Sequence, residues 1–136
     1  MQRTTMKKYS KKATIIGVIL LIIMSIFHGS GTRYVTEIIE QSNTEDFAKN
    51  IFPVLFVHPS IHLLGLAVLG VLTLFMKHET RKIKFFIAIL VGIDAILAFY
   101  LKALVPGIAL LLSASLFLID TKTIDSSKPS TSDSIL

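Results

Sequence analysis

The sequence predicts an all-α membrane domain: a four-transmembrane-helix bundle, up-down-up-down, with both termini in the cytoplasm. Three observations predict it. Of the 136 residues, 52% are hydrophobic and only 17% are charged, with a mean hydropathy of +0.70. A soluble chain of this size would leave a large sticky surface exposed, whereas lipid solvates such a surface. The apolar residues fall into long runs close to the length needed to cross a bilayer, free of Asp, Glu, Lys and Arg except for one acid, Asp94. Finally, Lys and Arg alternate from one connection to the next, many then few, as the positive-inside rule expects.

The chain opens on a basic cytoplasmic arm, residues 1–12, carrying Arg3, Lys7, Lys8, Lys11 and Lys12 and no acid. A four-span membrane domain is expected over residues 13–119. The first span, about 13–30, has the Ile- and Leu-rich core ATIIGVILLIIMSIF. A secretory signal peptide opens in the same way, and Gly29, Ser30 and Gly31 could supply a cleavage site. However, no A-x-A-like motif closes the run, and more apolar sequence follows rather than a secreted domain.

Residues 33–50, RYVTEIIEQSNTEDFAKN, form the one sizeable loop and hold Glu37, Glu40, Glu45 and Asp46. Within it, Val35, Ile38 and Ile39 share the i, i+3, i+4 spacing of a short helix lying on the membrane surface. Thr44, followed by two acids, reads as a helix N-cap.

The second span, about 51–76, is the longest charge-free run, IFPVLFVHPSIHLLGLAVLGVLTLFM. Pro53 suits a first helical turn, where its missing N–H costs nothing. Pro59 falls inside the span and is expected to kink it. It frees the carbonyl of Leu55, for which the Ser60 hydroxyl is one candidate donor. A basic turn with Lys77, His78, Arg81, Lys82 and Lys84 follows.

The third span, about 84–101, contains one acid, Asp94. Lys102 then marks a very short turn, so the third and fourth spans must be antiparallel neighbours. The fourth span, about 104–119, opens with Pro106 and Gly107 and has Ser113 and Ser115 as its polar residues. Gly17, Gly65, Gly70 and Gly92 read as notches for close helix packing. Residues 120–136 are Ser/Thr-rich and read as a disordered cytoplasmic tail.

Composition excludes several classes of function. Without cysteine there are no disulfides, thiolate metal sites, iron–sulfur clusters or cysteine nucleophiles. The net charge of +5 lies in clusters beside apolar runs, which fits lipid headgroups rather than nucleic acid. The lipid bilayer is therefore the expected partner, together with a homo-oligomer or another membrane protein. The compact loops and the Lys/Ile-rich composition suit a bacterial inner membrane.

The polar residues inside the spans are the candidate site. If the spans alternate, depth at 1.5 Å per helical residue puts His28, His58, His62 and Asp94 in the outer half of the bundle. His58 and His62, four apart, lie on one helix face. An unpaired carboxylate at mid-bilayer costs on the order of 3 kcal/mol, so Asp94 must face inward, take a proton or pair with a histidine. His78 reads as a solvated loop residue and Tyr100 as an interface anchor.

Three readings of this cluster follow. In the first, it ties helices together and has no chemistry of its own, which favours a non-enzyme. In the second, His58 and His62 bind haem or a divalent metal, with His28 and Asp94 completing the ligand set. In the third, Asp94 and a histidine handle protons in a small proton-coupled transporter or membrane enzyme.

Overall fold

The computed structural model describes residues 2–125, and the side chains of residues 11–119. It is a helical bundle: α1 (Gln2–Ser30), α2 (Thr32–Glu40), α3 (Asp46–Phe75), α4 (Thr80–Tyr100) and α5 (Leu104–Asp125). Three segments are long and apolar enough to cross a membrane: Lys11–Glu40, which runs from α1 through α2, then Asp46–Phe75 (α3) and Thr80–Tyr100 (α4). The apolar part of α5, Leu104–Ile119, is shorter. Large apolar side chains such as Ile23, Leu64, Val68 and Ile96 are about half exposed or more, as lipid-facing residues are.

Four helices form a ring in which α3 packs on α1, α1 on α5 and α5 on α4, and the ring closes weakly between α4 and α3. The core runs down its centre, with Leu21, Ile87, Val91 and Phe117 fully buried. The Phe117 ring lies against Gly17 of α1 and Gly70 of α3, where a methyl group would come within 3.0 and 3.1 Å of it. These two glycines are notches, as expected. Gly65 and Gly92 are not: nothing lies within 4 Å of an added methyl at either position, so they face open space.

Hydroxyl groups fasten the helices where side chains are small. Ser113 Oγ donates to the carbonyl of Gly17 at 3.0 Å, and Ser25 Oγ to the carbonyl of Ser60 at 2.7 Å, both buried. Such bonds persist in lipid because the alternative is an unsatisfied polar group in hydrocarbon.

Several boundaries differ from the sequence expectation. α3 begins at Asp46, with Glu45 rather than Thr44 at the N-cap and no side-chain cap bond. Thr44 instead pairs its hydroxyl with Ser42. Pro53 therefore lies inside the helix and not in its first turn. The helix also continues through Pro59 without a break. The Ser60 hydroxyl does not rescue the Leu55 carbonyl, since Ser60 Oγ is buried without a hydrogen-bond partner. α3 survives because each proline removes one backbone bond while packing against α1 holds the rest.

The short helix expected around Val35, Ile38 and Ile39 is present as α2, which follows α1 after Gly31 in helical backbone conformation. α4 begins at Thr80, which turns part of the basic turn into helix. Lys84 then shares a face with Ile87, Ala88 and Val91 and is buried. α5 extends to Asp125, past the start of the expected tail at 120. Its backbone ladder continues beyond the apolar run because polar side chains do not interrupt it. Residues 126–136 lie outside the described residues.

Candidate functional site

The C-terminal end of α1, the N-terminal half of α3, the C-terminal half of α4 and the start of α5 meet around one cavity of about 610 Å³. Only alternating helix directions bring those four ends together. Its walls are mostly apolar, with Phe27 from α1, Leu63 from α3, Leu97 from α4 and Leu110 from α5. His28, His58, His62 and Asp94 all line it. The volume lies within the range of small-molecule sites, which combine apolar walls with a few placed polar groups.

His62 on α3 reaches across to α4. Its Nε2 lies 3.3 Å from Asp94 Oδ2, with both side chains roughly two-thirds or more covered. The pair spans the one seam of the ring where helices otherwise barely meet. Although Oδ2 is fully covered, it completes no well-formed hydrogen bond. The contact is thus an ion pair or a loose hydrogen bond, as the distance allows.

His28 projects from the last turn of α1. Its ring tilts against Phe56 of α3, with centroids 4.6 Å apart, and Phe56 in turn stacks on Phe52. Its Nδ1 is buried without a hydrogen-bond partner. His58 is exposed on the cavity side of α3, one turn before His62. Ser30, also on the wall, donates its hydroxyl to the Phe27 carbonyl. That bond leaves the imidazoles of His28 and His58, together with the Asp94 carboxylate, as the polar groups with spare capacity.

Among the described residues, no three His, Asp or Glu side chains come together as a metal ion would need. His58 and His62 share a helix face but diverge in use: His62 faces Asp94, and His58 lines the cavity. His28 packs its ring on Phe56.

Sequence reasoning missed the apolar half of the site. Phe56, Leu97 and Pro106 build its walls, yet an apolar residue facing a cavity has the same chemistry as one facing lipid. The one usable signal was proximity in depth: Phe56 lies two residues before His58, and Leu97 three after Asp94.

No protein-family model matches the chain, and neither do any curated proteins or solved structures. The functional reading therefore rests on the cavity and its side chains.

Proposed function

We propose that this chain is a small multi-pass membrane protein that binds a small lipophilic molecule in the cavity among α1, α3, α4 and α5. The cavity belongs to the outer half of a bacterial inner membrane, with both termini cytoplasmic. That orientation is supported by the basic residues of the N-terminal arm and of the turn before α4, set against the acidic segment 33–50. The observation that carries the reading is the placement of the His62–Asp94 pair. It closes α3 onto α4 and at the same time forms a polar wall of an otherwise apolar, ligand-sized space. A pair serving only as a helix tie would need no cavity beside it.

The test is native mass spectrometry of protein purified in mild detergent, with organic extraction of whatever accompanies it. Wild type is expected to carry or take up a small lipophilic molecule at a one-to-one ratio. Ala98→Trp, which puts an indole into the cavity wall, is expected to fold and lose it. A Soret band or stoichiometric metal lost in His58→Ala or His62→Ala would overturn the reading in favour of a haem or metal centre. Equal occupancy in Ala98→Trp would place the ligand elsewhere and overturn it too.

A further inference from the structure

The polar groups of the cavity carry more information than its volume. Consider an anionic ligand head first. Among the described residues lining the cavity there is no Lys or Arg to receive it, and Asp94 would repel it. Nor does a cationic head fit. Asp94 is the one carboxylate on the wall, and His62 Nε2 already faces it at 3.3 Å. An ammonium group would compete with His62 for Asp94 and would have to shed its water into an apolar surround, which is costly. Any imidazole that gained a proton would repel it further.

A neutral hydrogen-bond acceptor meets none of these penalties. Each neutral imidazole carries one N–H donor. His28 lines the cavity with its ring held in place by Phe56, and since its Nδ1 is covered, Nε2 is the nitrogen left to meet a ligand. His58 stands exposed on the same cavity. The Ser30 hydroxyl is already engaged and does not compete. A tail also has a way out: α3 and α4 form the weakest seam of the ring, and Leu97 and Leu101 of the cavity wall are more than half exposed.

We propose that the cavity selects a lipophilic molecule whose polar end is a neutral carbonyl, received by the imidazole N–H groups of His28 and His58, with its apolar tail leaving between α3 and α4. This rests on the reading of the cavity as a binding site. Two sources share this chemistry: a quinone ring and the acyl ester of a lipid.

The test compares probes with matched ten-carbon tails on the full chain in one detergent: decylbenzoquinone, methyl undecanoate, decylamine, undecanoate and decane. Binding is read by titration calorimetry, with Ala98→Trp as the background for partition into micelles. At least one carbonyl probe is expected to bind about tenfold or more tighter than decylamine, undecanoate and decane, a factor set by about 1.4 kcal/mol. The stronger of the quinone and the ester identifies the source. His58→Leu, at an exposed position that does not threaten the fold, is expected to erase that preference while general binding persists.

Equal binding of the amine, the acid or the hydrocarbon would overturn the carbonyl assignment and leave the cavity a binding site. So would a preference unchanged in both His58→Leu and His28→Phe. No probe binding above the Ala98→Trp background would overturn the binding reading itself.

Discussion

Two glycines of α3 allow packing to be measured against a built-in control. At Gly70 an added methyl would lie 2.6 Å from Val18 Cγ2 and 3.1 Å from Phe117 Cζ. Both neighbours are buried, and Val18 sits in α1, where a β-branched side chain has essentially one rotamer and cannot swing aside. Relief must come from movement of α1 against α3. Overpacking of this kind costs about 1–3 kcal/mol. At Gly65, five residues earlier in the same helix, the methyl meets nothing within 4 Å.

Replacing glycine by alanine inside a helix also gains up to about 1 kcal/mol from the backbone. That gain is common to both sites and cancels in the comparison. Gly70→Ala should therefore be less stable than Gly65→Ala by about 1–3 kcal/mol, and Gly65→Ala should be no less stable than wild type. The assay is reversible unfolding in mixed micelles with rising dodecyl sulfate, followed by helical circular dichroism. Two variants of equal stability would refute the packing of Val18 and Phe117 on Gly70.

Further outcomes follow from the turns and from the ion pair. Lys102 has φ 60° and closes α4 in a Schellman pattern, with Lys102 N–H on the Phe99 carbonyl and Ala103 N–H on that of Ala98. Lys102→Gly should raise stability by about 1 kcal/mol in the same unfolding assay, since only glycine takes that conformation freely. His62→Leu or Asp94→Leu alone should cost about 1–3 kcal/mol by stranding the partner, and the double replacement should cost less than the sum of the two. A strictly additive cycle would show that the pair does not couple α3 to α4. At the start of α4, Lys82 lies 2.7 Å from Glu79 and holds its carboxyl below the usual range by hydrogen bonding and charge. This contribution is present above the ordinary carboxylate range and is lost as pH falls through the lowered value. Amide exchange at Ile83, whose N–H bonds the Glu79 carbonyl, should lose protection there, and Lys82→Met should remove that pH dependence.

What could be read from the residues alone follows the contrast between water and hydrocarbon. The apolar helices announce themselves because charge stops at their ends, and α2 because Val35 and Ile39 recur with helical period. The start of α3 was less legible. Thr44 followed by two acids marks a helix start, but only the folded helix shows that Asp46 to Asn50 runs on unbroken into the apolar segment. His28, His58, His62 and Asp94 could be grouped by depth because polar atoms in lipid are few and the spans alternate. Their individual partners could not be: spacing alone does not say that His62 meets Asp94 while His28 meets Phe56. Gly65 and Gly70 show why the remainder was hidden. In lipid, inward and outward faces are equally apolar, so a notch and a lipid-facing gap look the same in sequence.

The pairing of α1 with α5 has a consequence for assembly. The chain makes two hairpins in succession, α1 with α3 and then α4 with α5, and the first helix made must wait for the last. Until α5 arrives, the socket formed by Gly17 and Gly70 stands without Phe117, and the Gly17 carbonyl lacks the Ser113 hydroxyl. A nascent chain stalled before residue 113 would present an open groove with a half-used carbonyl to the bilayer. Completion of the C-terminal helix is thus the step that turns two hairpins into one closed unit.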